Sequence, residues 1–407
     1  MNSGLFDQRL ALQWIQSNIR YFGGDGSSIT IFGQSDGGTS VGLHMTAYGG
    51  KGKVAFHRAI MQSGSPAADP GVSGNLTAVS TSTVASLVGC ENATDSQLTL
   101  SCLRKLPMED LLQGVLEYEN QTAADGLAQD IFFPTTDDDL IPGPPSQLLK
   151  QGKFHKNISV ITGWAENDGS IFSSPEVRND SAAIVYLSIQ YPHLTPATVQ
   201  ELLHLYPASD FTAQARNADN PNGTASFFQS AQIYRDINFA CPALDTAFRV
   251  AAHGAPAYIY ALNQTALTLL LDFAGVAYYG VIHVSDIPYV FDNTASVLGS
   301  ANDAALASRM SGSWVSFART GEPTTSTGRG NATGNETLND WPYAFGGQQH
   351  LLNLAAKNGT VMPSSAVVRV IGGPSGGIKT YGTSGPEQLI KRCSFINSAG
   401  FYAQIQT

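Results

Sequence analysis

Gly33-Gln34-Ser35-Asp36-Gly37 sets a serine between two glycines at the end of an apolar run. The run, Ile29 to Phe32, is β-branched and aromatic, the composition of a buried strand. Gly37 to Met45 can continue as a helix. Strand, Gly-flanked serine and helix together form the setting of a nucleophile elbow. The turn strains the serine backbone, and glycines are expected to leave room beside it. The hydroxyl then stands at a helix N-terminus, where N–H groups and the dipole favour developing negative charge. With 41 glycines the pattern alone could arise by chance, so its context carries the reading. A serine hydroxyl is a weak nucleophile until an imidazole takes its proton, and a carboxylate must orient that imidazole. Asp168 and His283 follow Ser35 in the order serine, acid, histidine, each in a Gly-bounded loop. Asp168 also suits a plain Asn-Asp-Gly turn, and Glu166 is the alternative acid. His44, His57 and His155 sit beside helix or strand segments and read as structural or solvated.

The elements that must position these groups alternate. Leu5 to Arg20 reads as an amphipathic helix, with Leu5, Leu12, Ile15 and Ile19 at helical spacing. Tyr21 to Gly26 is a turn, and its Gly23-Gly24 pair reads as punctuation. The elbow follows, and Ala59 to Ser65 is the next strand with its C-terminal loop. Strand, helix, strand in this order implies a parallel sheet with right-handed crossovers. Val79 to Leu87 and Pro107 to Leu116 read as helices, and Ile158 to Gly163 as a strand. Ser181 to Asp272 is mostly helical, interrupted by an apolar strand, Ala257 to Leu262. Thr324 to Thr337 is a Gly/Thr/Asn loop. Neither repeats nor a clear linker divide the chain, so residues 1–407 are expected to form one domain with helical insertions.

Composition sets the limits. Charged residues make up 13% of the chain, against roughly 25% in ordinary domains. The net charge of −10 argues against nucleic acid or an anionic membrane as partner. No apolar run approaches the ~20 residues of a transmembrane helix. Met1 to Gln8 has neither the basic residues nor the apolar stretch of a signal peptide. Two features nevertheless point outside the cytosol. Asn-x-Ser/Thr sequons fall at Asn75, Asn92, Asn120, Asn157, Asn179, Asn222, Asn263, Asn331, Asn335 and Asn358. The four cysteines, Cys90, Cys102, Cys241 and Cys393, are an even number suited to two disulfides. They lack the close spacing of a zinc or redox site, so no metal is expected.

Several stretches together resemble the type-B carboxylesterase/lipase family, which includes cholinesterases and fungal lipases. They are Gly4 to Ile15, Phe22-Gly23-Gly24-Asp25, the elbow, and Gln62-Ser63-Gly64-Ser65. Gly163 to Ser170 is similar to the family's acid loop, and Gly280 to His283 with Asp286 to Phe291 to its histidine loop. Trp314 to Pro323 is similar to its C-terminal helix and turn. The resemblance implies an α/β-hydrolase fold, a mostly parallel central sheet flanked by helices. It also implies hydrolysis of carboxylic esters through an acyl-enzyme, with a small-molecule or lipid ester as substrate and no cofactor. Ser35 would be the nucleophile, His283 the base, Asp168 the orienting acid, and the Asp36 N–H an oxyanion donor. Cys90 would pair with Cys102 and Cys241 with Cys393, in a secreted protein.

Three departures from the family stand out. Asp36 follows the nucleophile where alanine is usual, and Gln34 replaces a glutamate, which weighs against choline esters. The family's first strands and Gly-Gly oxyanion loop have no counterpart before Met1, so the resemblance implies an N-terminally truncated fold. On that basis Met1 is expected to be an internal start or a misplaced gene-model boundary, and the chain to be poorly soluble and nearly inactive. The alternative is a catalytically impaired, cholinesterase-like binding module.

Overall fold

The structure is a computed structural model. It describes residues 2–67, 72, 76–92, 95–123, 131–324, 336–346, 363–385 and 387–405. Six strands form one sheet: β1 (Thr30–Gln34), β2 (Arg58–Gln62), β3 (Ser159–Ala165), β4 (Ala257–Leu262), β5 (Ser365–Ile371) and β6 (Gly377–Gly382). They lie side by side in chain order. β1 to β5 are parallel, and β6 returns antiparallel to β5. The fold is that of an α/β-hydrolase: a mostly parallel sheet covered by helices.

Period-two alternation divides the strand side chains between two cores. Ala59, Met61, Val160, Ile259 and Val368 face one side, packed against the Asp36–Thr46 and Cys241–Ala252 helices. Ile60, Ile161, Tyr258, Tyr260 and Ile371 face the other, packed against Leu306, Met310, Trp314 and Phe317 of the Ala301–Thr320 helix. That last helix begins with a capping box formed by Ser300 and Asp303 and ends at Gly321, φ 84°. The helix and turn implied over Trp314 to Pro323 are thus present, with Gly321 as the helix stop.

The expected elements are present with shifted ends. The first helix is Ser3–Asn18 and continues as a 3-10 turn over Ile19–Phe22. Its apolar face is only partly covered: Leu5 is buried, Leu12 and Ile15 half-buried, Leu10 and Trp14 exposed. The Met108–Ala123 helix runs past the expected end at Leu116. β5 and β6 are additions that the sequence reading did not supply. The expected loop from Thr324 to Thr337 lies mostly outside the described residues. Two disulfides close as the resemblance implied, Cys90–Cys102 and Cys241–Cys393.

Candidate active site

Ser35 sits between β1 and the Asp36–Thr46 helix at φ 58°, ψ −123°. That backbone is held from both sides: Ser35 N–H donates to Gln62 O at 2.8 Å, and Thr39 N–H donates to Ser35 O at 3.0 Å. The strain is thus over-determined by the sheet and the helix. Gly33 is required here, because a Cβ would lie 2.4 Å from the carbonyl atoms of Gly37. Gly64, in the loop after β2, is required too; its Cβ would stand 2.1 Å from Ser35 O. Gly37 departs from the expectation of a crowded elbow: a Cβ there meets nothing within 4 Å. The second glycine of the motif faces open space instead.

Three distant side chains meet at this turn. Ser35 Oγ lies 2.8 Å from His283 Nε2, and His283 Nδ1 lies 2.9 Å from Asp168 Oδ1. With the carboxylate accepting from Nδ1–H, Nε2 carries the lone pair that faces the serine hydroxyl. Asp168 is fully buried, and its other oxygen accepts from the Ala165 N–H at 2.8 Å. The expected Asn-Asp-Gly turn is present, and Gly169 lets it press against the Ala225–Arg235 helix, where a Cβ would lie 1.9 Å from Ala231 O. Glu166 is turned elsewhere, toward Arg235.

The imidazole is enclosed by aromatic rings. Phe239 stacks on it with centroids 4.8 Å apart, and Phe172 meets it edge-on at 5.2 Å. Phe239 is carried by a single π-helical turn, Asp236–Ala240. The Gln34 amide nitrogen also reaches His283 Nε2, at 3.3 Å. Asp36 is exposed and its carboxylate makes no hydrogen bond among the described residues. Its N–H lies ahead of the first helical hydrogen bond, which Thr39 makes.

Three positioning residues escaped the sequence reading. Asn167 fastens the acid loop to the histidine loop in both directions: its N–H donates to Val281 O at 3.0 Å and its Oδ1 accepts from Val281 N–H at 2.9 Å. Gly280, at φ 72°, makes room, since a Cβ would lie 2.4 Å from that Oδ1. Beneath the histidine, Gln62 donates to Asp286 Oδ2 at 2.7 Å and accepts from the Trp314 indole at 3.0 Å. Tyr260 donates to the same Asp286 oxygen at 2.9 Å. Burial pushes the Asp286 carboxyl up, the Gln62 hydrogen bond pulls it down, and nearby Asp168 pushes it up again. Gln62 and Asp286 stood inside recognised motifs; Asn167 lay beside the acid. Each was visible as a letter, but its partner came only with the fold.

The other expectations fall into place unevenly. His44 is buried, with Nε2 2.8 Å from Gln8 Oε1, and burial pushes it down to about 4. His57 accepts from the Ile29 N–H, and His155 is buried beside Met45. All three are structural. Asn120, Asn157 and Asn179 are exposed, while Asn92, Asn222 and Asn263 are half-buried. Asn75, Asn331, Asn335 and Asn358 lie outside the described residues. No cluster of His, Cys, Asp and Glu suited to a metal ion occurs among the described residues. None of their helices is long and apolar enough to cross a membrane.

Comparison with known proteins establishes the family of the chain. The model of the Carboxylesterase family matches residues 1–366, and the chain belongs to that family, type B. It is 32% identical to the inactive carboxylesterase-like protein VdtD of Byssochlamys spectabilis, over 97% of this chain and 66% of that protein. It is 34% identical to a secreted lipase of Arthroderma benhamiae, over 98% of this chain and 66% of the lipase. The crystal structure of Aspergillus niger EstA superposes with a TM-score of 0.72 at 23% identity, covering 100% of this chain and 70% of EstA. The chain thus spans 66% of the length of those two curated relatives.

Proposed function

We propose that this chain hydrolyses carboxylic esters through an acyl-enzyme. The observation that carries the reading is the unbroken path Ser35 Oγ, His283 Nε2, His283 Nδ1, Asp168 Oδ1, with gaps of 2.8 and 2.9 Å. Ser35 attacks the ester carbonyl as His283 accepts its proton. His283 returns that proton to the departing alcohol, leaving the acyl group on Ser35. Water then attacks the acyl-enzyme with His283 again as base, releasing the acid. Asp168 fixes the tautomer and stabilises the imidazolium. The Asp36 N–H donates to the oxyanion at the helix N-terminus. The substrate is a small-molecule or lipid ester. The sequons and disulfides support a secreted glycoprotein, which a mobility shift on N-glycosidase treatment would test.

A second reading has its own support: one relative is named inactive, and Asp36 stands beside Ser35. In that reading the fold binds a partner without turnover. A fluorophosphonate probe separates the two. Labelling that disappears in Ser35→Ala supports the esterase; an unlabelled, folded protein supports the binding module. Short-chain ester hydrolysis should fall by about 10⁴-fold in Ser35→Ala.

A further inference from the structure

A cavity of about 500 Å³ opens between the Ala301–Thr320 helix and the β5–β6 hairpin, and none of its lining belongs to the Ser35 site. Two arginines line it, Arg309 from the helix and Arg369 from β5, together with Gln264, Asn302, Gly372 and Gly373. Neither guanidinium forms an ion pair with a carboxylate among the described residues. Arg369 Nε is fully buried and has no hydrogen-bond partner, which is costly for a charged donor. Burial pushes Arg369 down, Asp340 holds it up, and the like charge of Arg309 pushes it down again. Two cations therefore share one recess in a chain of net charge −10 that has only 22 Lys and Arg in all.

The wall opposite is preset. Gly372 and Gly373 adopt φ of +74° and +66°, and a Cβ on either would lie within 2.5 Å of Gln264 Cβ or 2.3 Å of Asn263 O. Gln264 is clamped from two sides, accepting from the Gly373 N–H at 3.2 Å and donating to Asp303 at 2.7 Å. The recess thus keeps its shape, and its two guanidinium groups lack a direct carboxylate partner among the described residues, with Asp340 acting on Arg369 only from beyond ion-pair distance.

We propose that this cavity binds a small oxyanion, the phosphate or carboxylate group of a low-molecular-weight ligand, between Arg309 and Arg369. A planar guanidinium fork matches such an oxyanion through paired N–H donors, and the anion relieves the repulsion between the two arginines. The site is independent of ester hydrolysis. The test is calorimetric titration of the full chain with sodium phosphate and, separately, citrate, each at fixed ionic strength against chloride. One-site saturation below about 10 mM by either anion is expected, and which one saturates identifies the group. Arg309→Gln should weaken binding by about tenfold, the loss of one charge-assisted contact. Arg369→Lys, which keeps the charge but removes the fork, should weaken it as well. Fluorophosphonate labelling of Ser35 should stay unchanged in both variants. Because Arg309 is exposed on its helix, its variant decides the matter even if Arg369→Lys fails to fold. No saturation with either anion, or equal affinity in Arg309→Gln, would overturn the proposal.

Discussion

Asp36 and Asn167 show how single side chains act around the candidate nucleophile. The carboxylate of Asp36 is exposed and unbonded, so it sits at the positive end of the helix dipole without entering the hydrogen-bonded path. Asp36→Ala should therefore change kcat by less than about threefold and cost 0.3–1 kcal/mol or so of stability. A rise in kcat of tenfold or more would instead place the carboxylate against the oxyanion. Asn167 holds two loops in register through Val281. Asn167→Ala should lower kcat/KM by roughly 10–100-fold through a displaced His283, with the circular dichroism spectrum intact. Unchanged kinetics would show that the loops need no such tie. Ser35, Asp168 and His283 were legible because the family's motifs fix residue types at fixed offsets. Asn167, Gln62 and Asp286 were not legible as partners, because the Asn167–Val281 and Gln62–Asp286 contacts span 114 and 224 positions.

At the scale of elements, the two glycines of the elbow differ in what surrounds them. Gly33 and Gly37 are equivalent in the motif but not in the structure. Gly33→Ala forces a methyl group into the backbone of Gly37 and should cost about 1–3 kcal/mol or more. Gly37→Ala meets open space within a helix, where alanine is favoured by about 1 kcal/mol, so stability should hold or rise. Urea unfolding of the two variants checks this, and equal destabilisation would refute it. β1 to β4 were legible because each combines apolar, β-branched composition with flanking turns. β6, Gly377–Gly382, carries Lys, Thr and Gly and buries none of its side chains, so no hydrophobic period announces it. It exists because β5 offers an edge to pair with. The first helix, expected to end at Arg20, stops at Asn18 because the chain tightens into a 3-10 turn over Ile19–Phe22.

Across the whole molecule, two features govern how the protein behaves in solution. β1 is an edge of the sheet among the described residues, and Phe32 on it is 47% exposed and packs on the exposed Phe291 ring. Tyr21, Phe22 and Trp14 are exposed nearby in sequence. An open edge carrying aromatic side chains is a site of self-association. The purified chain should elute larger than a monomer in size-exclusion chromatography, and Phe32→Lys should shift it toward monomer; a monodisperse wild-type monomer would refute this. The second feature is a buried hub. Arg235 donates to Asp236 at 2.8 Å, to Glu387 near the C-terminal helices at 2.9 Å, and to the Glu166 carbonyl at 3.1 Å. Tyr206 from the helical region donates to Asp236 at 2.7 Å. Three carboxylates, Asp236, Glu387 and Glu166, thus share one guanidinium. Burial, then repulsion from Glu387, pushes the Glu166 carboxyl up to about 7 from 4.5, against the pull of Arg235. The folded state therefore holds a proton on Glu166 that the unfolded chain has released. Its stabilising contribution is complete below pH 4.5 and is lost as pH rises through about 7. His44, pushed down to about 4, works oppositely: its contribution grows as pH rises from 4 to 6.5. Above pH 6.5 the Glu166 effect stands alone of these two. Glu166→Gln mimics the protonated form, so its stability should decline less than wild type between pH 6 and 8. Urea midpoints measured across that range provide the check, and parallel curves for the two proteins would remove Glu166 from the account.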